Sequence, residues 1–309
     1  MKRTSYQIFI LAIAGVILVL LGSCRKQQSS TSSKSGAFSF AFLTDIHLQP
    51  ELNAVQGFQQ AIDTLNKLHP DFVLTGGDLI MDALGQTYSR ADSLYNLYQE
   101  TAKQINVPAY NTLGNHEIYG IYRKSGADPL NPEYGEKMFE KRIGKSYYTF
   151  DHKGWRFMVI NSVEDTKKGG YIGMIDSAQV EWIKGVLAQT DPKMPIVLST
   201  HIPFITAYTQ KYGGSTLPND SSLVVINAKN VIDLFNGYNL KLVLQGHLHT
   251  VEDVFIDGVH FVTGGAISGK WWKGANVGYE EGFVLVTIDG DQFNWKYIDY
   301  GWKVDENDR

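Results

Sequence analysis

The chain has 309 residues, 43% of them hydrophobic, with 28 basic and 32 acidic side chains and a net charge of -4. That content is ample for one large domain with its own core and excludes a disordered bulk. Discounting residues 1–23, which hold Lys2 and Arg3 and no acid, takes the charge from -4 to -6, so the surface has no basic excess for nucleic acid or polybasic membrane binding.

In chain order, Lys2 and Arg3 precede fourteen almost wholly apolar residues, Ile8 to Leu21. The run is short of the about 20 residues a spanning helix needs, and it has the form of a secretory signal. It ends in Leu21-Gly22-Ser23-Cys24, which resembles the lipobox of bacterial lipoproteins. Cys24 is the only cysteine, so an internal disulfide is excluded, and the resemblance makes it the lipidation site. Residues 1–23 are therefore expected to be a signal peptide, 24–36 a lipidated cysteine with a flexible polar tether, and 37–309 one folded domain in the cell envelope, periplasmic or on the outer surface.

Strand-like and helix-like segments then alternate. Phe38 to Leu43 is a continuous apolar strand, Ala54 to Leu68 carries apolar residues at helical spacing, and Phe72 to Leu74 is a second buried strand. Helix Ser89 to Ile105 leads to strand Pro108 to Thr112. A hairpin follows (Tyr147 to Phe150, Trp155 to Asn161), then helix Ser177 to Gln189, strand Ile196 to Ser199, helix Ala228 to Phe235 and strand Leu240 to Leu244. From Val251 onward the pattern is strands with glycine turns. This order predicts an α/β fold.

Five polar clusters close the apolar runs: Asp45-x-His47, Gly77-Asp78, Gly114-Asn115-His116-Glu117, His201, and Gly246-His247-Leu248-His249. They hold five of the eight histidines, and every chemistry-bearing type in them suits hard or borderline divalent metals. The carboxyl ends of buried strands are where open α/β sheets place ligands. Two ions roughly 3.5–4 Å apart need an anionic bridge against their repulsion; Asp78 is the natural candidate. His247 and His249 alternate along an extended segment, so a bend is required for both to reach neighbouring ions. His69, His152 and His260 fall at a helix end and in turns, and read as surface histidines.

These blocks resemble the ordered signature of the calcineurin-like metallophosphoesterase superfamily over residues 38–250. The resemblance implies a four-layer α/β/β/α sandwich of two mixed sheets flanked by helices. It implies a dinuclear centre with Asp45, His47 and His249 on one metal, Asn115, His201 and His247 on the other, and Asp78 on both. Manganese, iron or zinc are expected ahead of magnesium or calcium. It also implies hydrolysis of a phosphomonoester or phosphodiester, on a small molecule or head group, by attack of a metal-bound hydroxide. His116 would contact phosphate and protonate the leaving oxygen; Glu117 would orient His116 or a ligating imidazole. The competing reading is a catalytically idle binding lipoprotein on the same scaffold, and the intact ligand set weighs against it.

Departures from relatives narrow the expectation. No Asp-Arg-Gly follows Gly77-Asp78, unlike the protein Ser/Thr phosphatases; Met81 and His47 stand where purple acid phosphatases have Tyr and Gly. What remains resembles the bacterial cyclic-nucleotide phosphodiesterase-like branch and the small phosphoesterases related to it. Segments 119–148 and 204–222 are long enough to wall a substrate site. Arg123 near the site, together with Asn115, is a candidate substrate contact, and Trp271 and Trp272, adjacent among glycines, suit stacking on a base or sugar. Strands 283–288 and 293–298 are expected to complete the second sheet, and the protein is expected to be a monomer.

Overall fold

The computed structural model describes residues 36–305. The expected signal peptide, Cys24 and all of the tether but Gly36 lie outside the described residues. In chain order the elements are β1 (Phe38–Leu43), α1 (Ala54–Leu68), β2 (Phe72–Thr75), α2 (Tyr88–Ala102), β3 (Ala109–Tyr110), α3 (Lys137–Arg142), β4 (Tyr148–His152) and β5 (Trp155–Val159). There follow β6 (Val163–Asp165), β7 (Tyr171–Gly173), α4 (Ser177–Leu187), β8 (Pro195–Ser199), α5 (Tyr208–Tyr212), α6 (Ala228–Ile232), β9 (Asn239–Gln245), β10 (Val251–Ile256), β11 (Val259–Gly264), β12 (Gly282–Asp289) and β13 (Gln292–Asp299). The expected helix over 228–235 tightens after Ile232 into a 3-10 turn, 233–235.

Two mixed sheets dominate, in the orders β13-β12-β1-β2-β3 and β10-β11-β9-β8-β5-β4. β1, β2 and β3 are parallel, as are β5, β8, β9 and β11; hairpins finish both edges of the second sheet and the β13 edge of the first. The last hairpin does not complete the second sheet. β12 pairs antiparallel with β1 from Phe38↔Ile288 to Phe42↔Val284, because Val284, Val286 and Ile288 share the inter-sheet core with Phe38, Phe40 and Phe42.

Alternation along β1 builds both sides of the first sheet. Phe38, Phe40 and Phe42 face the second sheet, with Phe40 stacked on Phe72 at 5.0 Å and edge-on to Phe157 at 5.3 Å. Ala41 and Leu43 belong instead to the core that holds Phe58, Ile62 and Leu65 of α1. Period-2 strands and a period-3.6 helix thus give the α/β/β/α layering. Of the expected surface histidines, His69 is exposed at the end of α1, while His152 and His260 sit beside Asp71 and Asp253 at 3.3 and 3.0 Å.

Candidate metal centre

The loops leaving β1, β2, β8 and β9 meet at one end of the sandwich, joined by the segment after β3. Asp45, His47 and His249 offer ligand atoms within 4.8 Å of one another, and Asp78, His201 and His247 do the same. Asp78 Oδ2 lies between the groups, 3.6 Å from His47 Nε2 and 3.3 Å from His201 Nε2. Asn115 Oδ1 is 2.9 Å from His201 Nε2.

Backbone shape makes this convergence possible. Asp45, His47, Asp78, His247 and His249 all have left-handed φ, between 47° and 73°, a region that Asp and His visit more readily than bulkier residues. Each such residue costs of order 1–3 kcal/mol. In return the chain turns sharply after each strand, and the bend that His247 and His249 require is supplied by both residues themselves. Gly114 permits the close approach of the third cluster: a Cβ there would lie 2.3 Å from both Asp78 N and Oδ1.

Proton positions follow from the carbonyls behind the rings. His201 Nδ1–H donates to Gly76 O at 2.7 Å and His249 Nδ1–H to Gly269 O at 2.5 Å. Their Nε2 atoms are thereby aimed inward as electron-pair donors in the neutral ring, the arrangement typical of ligating histidines. His249 Nε2 is 3.0 Å from His47 Nε2 and 3.3 Å from Asp45 Oδ1. Such facing lone pairs repel unless a cation or proton lies among them. The donor set and its burial therefore fit divalent metal ions of the hard or borderline kind. His47 differs from its neighbours, since its buried Nδ1 has no hydrogen-bond partner among the described residues.

Charges inside the cluster shift one another. Burial would lower His201, but the Asp78 carboxylate outweighs it and the pKa is pushed up to about 9. Burial and the His201 charge bring His247 down to about 4. Burial, with His116 beside it, holds His47 well below its usual value. For Asp78, burial opposes ionisation, yet His201 and His116 hold the carboxyl well below the ordinary range.

With this geometry in hand, the comparisons are specific. The family model described as calcineurin-like phosphoesterase matches residues 38–251. The chain belongs to the calcineurin-like phosphoesterase family. It is a metal-dependent phosphoric ester hydrolase, and its family members include phosphatases and phosphodiesterases. It is 21% identical over 260 residues to a probable cyclic nucleotide phosphodiesterase of Xenorhabdus bovienii, covering 80% of this chain and 93% of that one. It is 26% identical over 278 residues to purple acid phosphatase 3 of Arabidopsis thaliana, covering 81% and 68%. A dimetal phosphatase from Danio rerio superposes with a TM-score of 0.60 at 14% identity, covering 85% of this chain and 96% of that one. GAP50, the anchor in the inner membrane complex of Plasmodium, superposes at 0.54 and 15% identity, covering 86% and 85%.

Around this centre the structure corrects two expectations, those for Glu117 and Trp272. Among the described residues the Glu117 carboxylate makes no hydrogen bond with the His116 ring or a candidate ligand imidazole; it accepts from the backbone N–H groups of Asp78, Leu79, Ile80 and Gly114 at 2.8–3.2 Å. Burial and the Asp78 charge push its pKa up to about 8 against the pull of those donors. Trp272 is fully buried and cannot stack on substrate, because its ring fills the space over α1 and its Nε1–H donates to the His47 carbonyl at 3.0 Å. Arg123 is exposed on a 3-10 turn, 123–125, and among the described residues it makes no hydrogen bond or ion pair with the centre.

His116 stands at the edge of the centre. Its Nδ1–H donates to the Met81 carbonyl, its backbone N–H donates to Asp78 Oδ1 at 2.9 Å, and its Nε2 lies 3.9 Å from Asp78 Oδ2 with the ring one-fifth exposed. Several supports escaped the sequence reading. Thr44 Oγ1–H donates to Asp45 Oδ2 at 2.6 Å, and Ser268 N–H and Oγ–H both donate to the Asp45 carbonyl. Thr44 adjoins the first cluster and could have been suspected; the carbonyls of Gly76, Met81 and Gly269 leave no mark in a sequence.

Proposed function

We propose that the protein is a dinuclear phosphoesterase that acts on a phosphomonoester or phosphodiester of a small molecule or head group. Asp45, His47 and His249 would hold one divalent ion, Asn115, His201 and His247 the other, and Asp78 both. The observation that carries this reading is the place of Asp78 Oδ2, within 3.6 Å of a histidine Nε2 from each group. Bound cations of this kind supply charge to the phosphoryl oxygens and make coordinated water more acidic.

The chain's own residues do the rest. Asp78 and Asp45 bring negative charge that offsets the cations, and the left-handed backbone fixes the ligands before substrate arrives. His116 Nε2, its partner nitrogen held by the Met81 carbonyl, would hold a proton toward the leaving oxygen. Manganese, iron and zinc suit this mix of imidazole and carboxylate ahead of magnesium and calcium. The lipobox-like Leu21-Gly22-Ser23-Cys24 supports a lipid anchor that tethers the domain outside the inner membrane. A binding scaffold without activity is less well supported, since every ligand position is filled.

The test is metal content and turnover of p-nitrophenyl phosphate and its bis-ester, with each metal added back, for the parent and Asp78→Asn. The parent should hold two ions per chain. Asp78→Asn should lose at least one and fall by more than the about 10- to 100-fold typical of losing an outer partner. A variant with two metals and normal rates would refute the assignment.

A further inference from the structure

Two consecutive tryptophans, Trp271 and Trp272, both adopt left-handed φ, 51° and 68°. Bulky residues rarely do so, and such strain persists only where surroundings over-determine it, commonly at ligand clamps. The surroundings are evident for Trp272. Its N–H donates to Ser268 O at 2.7 Å, and the flanking turn is closed by Lys270 N–H to Gly274 O at 2.8 Å and Lys273 N–H to Lys270 O at 3.0 Å. The indole Nε1–H holds the His47 carbonyl, Trp302 packs edge-on against the ring at 6.0 Å, and the space over Gly57 is so tight that a Cβ there would sit 2.2 Å from it.

With Trp272 locked, the left-handed pair turns Trp271 the other way. Trp271 is 38% exposed, a large apolar surface to leave in water. Its ring lies tilted against the imidazoles of the first ligand group, with centroids 4.6 Å from that of His249 and 6.0 Å from that of His47, while the residue keeps more than a third of its surface in solvent. On the far side of the centre Tyr171 stands edge-on to His247 at 6.3 Å. A strained turn that displays an indole beside a phosphate-handling centre has an evident use.

The geometry points to Trp271 as the recognition platform for a planar aromatic group, such as a nucleobase, attached near the reacting phosphorus, with Trp272 as the positioning residue that aims it. This deepens the phosphoesterase reading and rests on it. An open indole face accepts any base, because every base presents a π-surface, so the platform selects aromatic esters over aliphatic ones without reading base identity.

The experiment measures binding of adenosine 5′-monophosphate and ribose 5-phosphate, which differ only in the base, to zinc-reconstituted protein by calorimetry and tryptophan fluorescence. Zinc content is determined in parallel for the parent, Trp271→Ala and Trp271→Phe. The parent should prefer the nucleotide by roughly 5- to 150-fold, the worth of one base–aromatic stack. Trp271→Ala should weaken the nucleotide alone, with zinc content unchanged, and Trp271→Phe should restore most of the preference. Equal weakening of both ligands, loss of zinc from Trp271→Ala, or no nucleotide preference in the parent would overturn the inference. Protein that shows the Trp271-dependent preference yet hydrolyses no phosphoester would refute the reaction and leave the platform standing.

Discussion

His116 has two nitrogens with separate duties. Nδ1–H is held by the Met81 carbonyl, so in the proposed acid role Nε2 would be the nitrogen that exchanges a proton with substrate. Replacing His116 with Ala should leave the metal content unchanged and lower kcat by roughly 10²- to 10⁴-fold, the range of an acid-base group. The loss should be smaller for p-nitrophenyl esters than for alkyl esters, whose leaving oxygen needs the proton; equal losses measured on the two would remove the acid role. The candidate ligands His201 and His247 are shifted in opposite senses. His201, raised to about 9 from 6.5, stabilises the metal-free protein fully below pH 6.5, and that contribution is lost as pH climbs to about 9. His247, lowered to about 4 from 6.5, contributes above pH 6.5 and loses its contribution as pH falls to about 4. Metal-free His201→Gln should therefore lose less heat stability between pH 6.5 and 9 than the metal-free parent, as scanning calorimetry would show. Metal must displace the His201 proton, so at pH 7 zinc binding should release at least one proton, read from titrations in two buffers of different ionisation enthalpy, and affinity should rise with pH up to about 9.

At the scale of elements, Glu117 is a knot between two loops. One carboxylate gathers N–H groups from the loop after β2 and from the start of the segment after β3, which keeps Asp78 and Asn115 in register. Glu117→Gln turns an acceptor into an N–H₂ group that faces two N–H donors. At about 1–3 kcal/mol for each buried donor left unmade, the variant should lose roughly 2–6 kcal/mol of stability in denaturant melts; a loss below about 1 kcal/mol would mean the loops are held by other contacts. Glu117 illustrates what a sequence conceals. Its type suits an imidazole partner as well as a backbone one, and only the path of the chain decides. The apolar runs of β1, β2, β8 and β9 were legible because both faces of each are buried, and α1 because its apolar spacing is strict. β3 is shorter than the expected strand, Pro108 to Thr112, since only Ala109 and Tyr110 pair with β2. The two tryptophans look alike as letters, yet a left-handed turn sends one into the core and the other to the cleft. The place of β12 was hidden for a related reason: its alternation shows that one face is buried but not against which sheet.

At the scale of the molecule, none of the candidate ligands precedes Asp45, so catalysis and location are separable. Protein beginning at Gly36 should be soluble and fully active on soluble esters, whereas full-length protein should incorporate labelled fatty acid that Cys24→Ser abolishes. A lipoprotein's two or more acyl chains would hold the membrane firmly at about 0.8 kcal/mol per buried CH₂. Failure to label the parent would remove the anchor, and poor activity of the shortened protein on soluble esters would make the N-terminal region part of the mechanism. The match to the family model ends at residue 251, but the centre does not. Ile267 N–H holds the Thr44 carbonyl, Ser268 holds that of Asp45, Trp272 that of His47, and Gly269 receives the proton of His249; Tyr300 Oη–H in turn grips the Ile267 carbonyl at 2.6 Å. β1 itself needs β12 as its neighbour. A chain cut after residue 251 would thus own every candidate ligand and still lack much of the cage. The Asp78–His201 side can close from residues already present, while the Asp45–His47–His249 side depends on residues 252–309 folding back over it. Closure of that side is in this way tied to the last part of the chain, and protein cut after residue 251 should hold less metal than the parent, as metal analysis would show.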